Sequence, residues 1–253
     1  MEVHAHTHSD RKKWTHYFWE FLMLFLAVFC GFFAENQREH IIEGRRAKEY
    51  AMSLIKDLEN DTVVLRHCIG QNKEILASFD SIGSIVHRGI TGNQVKGSFY
   101  YYSQIGCVSP TLVWNNATLI QLTQSGNLRY FRNGDLVNKI SNYYANEYYV
   151  QILNSTDKDS RGKSMELKSR VLKNYYSKDF HMFLPAESLR APDSLLNNSY
   201  PLQNSDVDLL NEFANSFANR RLIVNRVITL TYPEAINKAT ELILDLKKEY
   251  HLK

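Results

Sequence analysis

Residues 17–34 read YFWEFLMLFLAVFCGFFA, eighteen positions in which Glu20 is the one charge. Counted from Trp14, a helix through this run is about 30 Å long at about 1.5 Å per residue, the thickness of a hydrocarbon core. The run predicts a transmembrane helix over 14–34. Trp14, Tyr17 and Trp19 stand at one end, where amphipathic rings favour the headgroup zone, and Arg11, Lys12 and Lys13 lie just outside it. That basic end is expected to face the cytoplasm, although Arg38, Arg45, Arg46 and Lys48 beyond the run oppose the assignment and nearby acidic residues count little in it. A cleaved signal peptide shares the basic start and apolar centre. Phe32-Phe33-Ala34, however, puts a bulky residue where cleavage needs a small one, and no small residue precedes Cys30 as a lipoprotein site would require. An uncut anchor is the expectation.

Working outward, the helix continues, because no proline occurs before Pro110. Ala47, Ala51, Leu54, Leu58, Asp61, Leu65, Cys68, Asn72, Ile75, Phe79, Ile82 and Val86 follow one another at steps of three and four, a heptad seam. Asp61 and Asn72 interrupt it, and Asn72 takes an a-type position, where a polar residue gives up stability to fix register or partner number. Both are candidate register or oligomer determinants. Gly44, Gly70 and Gly83 each disfavour helix by about 1 kcal/mol relative to alanine, so a bend at Gly44 is allowed for within a long heptad helix over 35–87.

Residues 88–110, with four glycines around Phe99-Tyr100-Tyr101-Tyr102, read as a connector. Helical patterning returns at about 111–124, then after Asn133-Gly134 at 135–153, where Val137, Ile140, Tyr144, Tyr148 and Ile152 form a stripe. The polar stretch Asn154 to Ser160 separates this from a helix over 161–176. Pro185, Pro192 and Pro201 mark a polar loop. Ser205 with Asp208 starts a helix over 205–230 that buries Leu210, Phe213, Phe217, Val224 and Val227 and that Pro233 ends or kinks, and the last helix covers 234–251. The chain therefore reads as all-α: a His-rich basic tail over 1–13, the span, and a helical extramembrane domain over 35–253 of bundle type.

An apolar content of 44% in 253 residues supports a proper core, and the formal charge of +3 is dispersed among interleaved acids and bases, which excludes a clustered nucleic-acid footprint. Of the three cysteines, Cys68 and Cys107 lie outside the span, either as a disulfide in an oxidising compartment or as two buried reduced thiols.

Candidate chemistry is sparse. His4, His6 and His8 alternate as metal-binding imidazoles do, against the alternative of a solvated tail. Glu20 is the sharper candidate, since a carboxylate within a span has a partner or a task. It either reaches toward water while pairing with His16, four residues earlier on the same face, or contacts a polar group of a partner span, including proton relay in an ion-driven complex. The segment GNQVKGS over 92–98 has phosphate-loop glycine spacing without the lysine or the preceding strand, and Ser53 with Lys56 lacks the other motifs of its enzyme class. Tyr143-Tyr144, Tyr148-Tyr149 and Tyr175-Tyr176 are either pocket-lining or core residues. No catalytic residue, cofactor-binding motif or cofactor is expected.

The start of the chain, His4, His6 and His8, a basic pair, then YFWEFLMLFLAVFCGFFAENQREH, resembles a family of uncharacterised single-span proteins common in Bacteroidota. WNNATLIQLTQSGNLRYFRNGDLVNKISNYY, Trp114 to Tyr144, resembles the family's second recurring block. The resemblance implies an N-terminally anchored helical protein of the bacterial inner membrane and assigns no activity. The expected function is thus a non-enzymatic interaction or scaffold protein in contact with the bilayer and with a protein partner or further copies of itself through the seam. The alternatives are an envelope sensor of a small ligand, a single-span subunit of an ion-driven complex, and an enzyme without recognisable motifs.

Overall fold

The computed structural model describes residues 14–110, 112–183 and 191–252. Helix α1 runs without a break from Trp14 to His87. The chain separates into two units, Met1–Tyr50 and Ala51–Lys253, so α1 contributes to both. It does not break at Gly44. Gly44, Gly70 and Gly83 have open space where a side chain would stand, and a local penalty of about 1 kcal/mol each is too small to stop a helix whose seam is enclosed.

In the first unit, α1 carries one stretch long and apolar enough to cross a membrane, and none of it is buried by the rest of the protein. Phe21, Phe25, Phe29 and Phe33 stack ring on ring at 6.0–6.5 Å along one side.

The second unit is helical around a two-stranded ribbon. After α1 come β1 (Gln94–Lys96), α2 (Gly97–Ile105), α3 (Ala117–Gln124), α4 (Gly134–Val171), α5 (Asn174–Ser177), α6 (Asp193–Asn197), β2 (Ser199–Pro201), α7 (Val207–Arg226) and α8 (Tyr232–Glu249). The strands β1 and β2 pair antiparallel with Val95 opposite Tyr200. The seam of α1 from Ala51 onward is enclosed within this unit: Ala51, Leu54, Leu58, Leu65, Ile75 and Ile82 are fully buried.

Three expectations are corrected. The 88–110 connector contains β1 and α2, because Phe99 and Tyr100 are core residues, with the Phe99 ring edge-on to Phe213 at 6.1 Å. Gly97, which suggested a break, is instead the first residue of α2. A Cβ there would lie 2.1 Å from the Leu195 carbonyl oxygen, and its N–H donates to the Asn198 carbonyl at 2.8 Å.

Second, α4 is one helix of 38 residues and absorbs both 135–153 and most of 161–176. Its buried line runs Leu136, Ile140, Tyr143, Val150, Asp157, Ser164, Leu167, Val171, whereas Tyr148 and Ile152 of the expected stripe face outward. The polar stretch Asn154–Ser160 holds no Gly or Pro, and its Asp157 points inward. Third, the polar loop before α7 contains α6 and β2, and the helix expected from residue 111 begins at Ala117.

Pro233 does not end the helical run that follows Asp206. A π-helical turn over Val227–Thr231 joins α7 to α8, and Pro233 falls in the first turn of α8, where proline is tolerated. Asp206, one residue after the expected Ser205, caps α7 by accepting from the Leu209 N–H at 2.9 Å.

Candidate functional site

The apolar stripe of α7 steps Phe213, Phe217, Val224, Val227, and the position it skips is Arg220. That residue is fully buried. Its guanidinium meets the α4 carboxylate of Asp157 in a fork, Nε to Oδ1 at 2.7 Å and a terminal nitrogen to Oδ2 at 3.0 Å. The remaining donors go to backbone carbonyls between α2 and α3, those of Gly106 and of Val108, the latter at 2.9 Å. The ring of Phe79 from α1 lies 5.4 Å from the guanidinium carbon. One side chain thus ties α1, α4, α7 and the 106–108 turn together. A buried charge is tolerated only when paired and hydrogen-bonded, and this one is both.

A second polar knot sits on Asp61, whose Oδ1 accepts from the backbone N–H and the side-chain amide of Asn115, both at 2.9 Å, while Oδ2 accepts from the Tyr143 hydroxyl at 2.8 Å. Asp57, one turn before it on α1, accepts from the N–H of Thr118 at the start of α3, and Glu147 accepts from Asn116. These carboxylates grip residues 115–118. Burial, then the charge of Asp61, pushes the Tyr143 hydroxyl well above the ordinary tyrosine range, so it stays a donor. Tyr144 is raised by burial and by Asp57, Asp61 and Glu147, and its hydroxyl donates to the Asn115 carbonyl at 3.2 Å.

Beside Asp157 lies a cavity of about 20 Å³ bordered by Asn72, Asn154, Asp157, Val224 and Tyr232. It has room for one water among polar groups. Asn72 donates its amide to the Cys68 carbonyl at 2.9 Å. On the outer surface, α4 and α8 border an open groove of about 490 Å³ between Asn133, Asp135, Lys139, Asp245, Lys248 and Glu249. Lys139 bridges Glu241 and Asp245 at 2.6 Å each, hydrogen bonds that raise its ammonium above the ordinary lysine value.

The residues singled out in the sequence are not brought together. His4, His6 and His8 lie outside the described residues. His16 and Glu20 are exposed on α1, and no side-chain hydrogen bond or ion pair joins either to another described residue. Asp61 and Asn72 face the interior of the second unit, where their bonds are within the chain. Cys68 and Cys107 are buried thiols rather than a disulfide, and burial raises both, in Cys107 over the opposing pull of Lys168, Arg220 and Arg161. Of the tyrosine pairs, Tyr143 and Tyr144 are core, while Tyr148 and Tyr175 stand exposed. Among the described residues no three His, Cys, Asp or Glu side chains converge as a metal site.

Sequence reasoning missed Arg220 and Asp157. The available signal was register: a charge at a core position of each of two helices, Arg220 between Phe217 and Val224 and Asp157 seven residues from Val150 and from Ser164. Chemically this centre holds a fold together, since both carboxylate oxygens and four N–H bonds of the guanidinium are engaged.

No protein-family model, no curated protein and no solved structure matches the chain.

Proposed function

We propose that the chain is an N-terminally anchored, single-pass membrane protein whose helical unit binds a protein partner or scaffolds a complex, without catalysis of its own. The observation that carries this is the 14–34 stretch of α1. Its large apolar side chains stand open to the surroundings, Leu24 at 67% and Phe32 at 76% exposure, and water does not tolerate such a surface while acyl chains do. A core helix of the same composition would be covered by its neighbours. The basic residues ahead of Trp14 support a cytoplasmic N-terminus with the helical unit on the periplasmic side of a bacterial inner membrane, as the family resemblance also implies.

For the second unit, support for partner binding comes from its outer surface. Tyr148, Ile152, Leu222 and Leu230 are exposed by 45–73% on α4, α7 and the π turn, with Arg226 5.8 Å above the Tyr149 ring. Aromatic and arginine side chains of this kind anchor interfaces.

Carbonate washing of membranes, combined with the intact mass of the mature chain, tests the placement. The expected result is a pelleted protein that retains residues 17–34 and whose helical unit is digested by protease added to the periplasmic side. Release by carbonate, or a mature chain starting after Ala34, overturns it.

A further inference from the structure

We propose that the face of the span bearing Glu20 packs against a second membrane helix that carries a lysine or arginine at the depth of Glu20; this rests on the membrane placement proposed above. With about 3.6 residues per turn, His16, Glu20, Ala27, Gly31 and Ala34 fall within an arc of about 60° on α1. Phe18, Phe21, Phe25, Phe29 and Phe33 fall on the opposite side. The last four form the ring ladder, an unbroken apolar wall suited to acyl chains. The Glu20 side offers small side chains, past which another backbone comes close.

Small residues alone do not say what covers them, but the carboxylate does. Glu20 sits about 9 Å inside the Trp14 end and about 21 Å from the Ala34 end of a helix rising about 1.5 Å per residue. A carboxylate at such a depth calls for a donor. Among the described residues the ionisable side chain one turn away is His16, and it does not serve: its ring lies by that of Tyr17, centroids 6.1 Å apart, and no side-chain hydrogen bond or ion pair joins it to Glu20. A second copy running in the same direction would set Glu20 against Glu20, like charge against like in a medium that screens poorly. A cationic side chain at the same depth gives instead a charge-assisted hydrogen bond. Charge complementarity therefore selects a different span, one with Lys or Arg.

The test places a photo-reactive amino acid in the full chain, in the membranes of its own cell, at Met23 or Leu24, which flank the Glu20 face, and at Phe25 or Phe29 on the ring wall. Positions 23 and 24 are expected to give one discrete adduct, at least tenfold above positions 25 and 29, whose captured peptide is an apolar span containing Lys or Arg. Glu20→Ala and Glu20→Lys abolish the adduct, and Glu20→Asp retains it, while all three variants stay in the carbonate pellet. An adduct with a second copy, a captured span without a cation, equal yields around the helix, no adduct at 23 and 24, or an adduct that survives Glu20→Ala overturns the proposal. In each of those cases a chain that still pellets leaves the membrane anchor standing; carbonate release of the unmodified chain overturns both.

Discussion

The two halves of α1 both carry large apolar side chains and behave oppositely. Over residues 17–33 the large apolar side chains stand open to the surroundings on most of the helix surface, Leu24 by 67% and Phe29 by 54%. Over residues 51–82 the apolar residues keep to steps of three and four, and Leu54, Leu58, Leu65 and Ile75 are wholly buried. The difference lies in how much of the helix surface is apolar: Glu20 is the one charge over 17–34, whereas Lys56, Asp57, Glu59, Arg66, Lys73, Glu74 and Asp80 are interleaved with the seam over 51–82. A helix apolar all round has no side to give to water and suits lipid, whereas a helix with one apolar seam covers that seam with other helices of its own chain. The charges follow the same division. Glu20 faces outward without a partner among the described residues, while Asp61, Asp157 and Arg220 are enclosed and bonded.

This contrast is open to attack at several points, here from the largest effect to the smallest. Asp157→Ala leaves Arg220 charged, buried and unpaired, and is expected to destabilise the second unit by about 3–5 kcal/mol in urea unfolding of the full chain in detergent. The double change Asp157→Leu with Arg220→Met is expected to cost less than either single change, because no buried charge remains. If the single and double variants lose the same stability, the pair does not hold the unit as described.

Truncation compares the halves directly. Leu58→Ala removes a fully buried side chain and is expected to cost about 2–5 kcal/mol, whereas Leu24→Ala leaves the unfolding midpoint of the second unit unchanged. Equal losses at the two positions would mean that the span is a core helix.

Tyr143→Phe takes one donor from Asp61 and leaves the two from Asn115, for an expected loss of about 1.5–3 kcal/mol at neutral pH. It also carries a pH signature. The native state keeps the Tyr143 proton beyond the ordinary value near 10, so above that pH the unfolded chain releases it first and binds fewer protons than the folded one. Stability contributed by this group is complete below pH 10 and falls as the pH rises, by up to about 1.4 kcal/mol per pH unit. Tyr100, Tyr144 and Tyr232 are raised in the same direction, all with burial as the first cause, so Tyr143→Phe should make the alkaline decline shallower without abolishing it. A decline of unchanged steepness would place the Tyr143 hydroxyl in solvent.

The smallest effect is expected at the surface groove. Lys139 joins Glu241 and Asp245 in the open, where water screens the pair, and Lys139→Ala should leave the midpoint within experimental error. A measurable loss there would mean that α4 and α8 depend on this contact rather than on buried residues such as Leu136, Ile140, Leu242 and Leu246.

Several elements were legible along the chain. A stretch long and apolar enough to cross a membrane, the continuous α1 and the buried stripe of α7 all follow from apolar spacing. The site was less so. In α4 the tyrosine-rich stripe through Tyr148 and Ile152 was the more hydrophobic choice, and the true buried line passes through Asp157 and Ser164, which hydropathy scores as surface. Gly97 looked like a break because glycine favours turns, yet its reason is the Leu195 carbonyl, close in space and far along the chain.

What the sequence determined alone is therefore what periodicity encodes: an all-α chain, a helix fit for lipid at its start, and which side of most helices faces inward. These depend on neighbours three and four residues apart. Only the tertiary structure decided that Arg220 finds Asp157, 63 positions earlier, that Asp61 holds Asn115 and Tyr143, and that the seam of α1 is closed by its own chain. A charge in a core position stays there only if a complementary group from another element meets it, and that meeting is fixed by packing in three dimensions, which local spacing does not record.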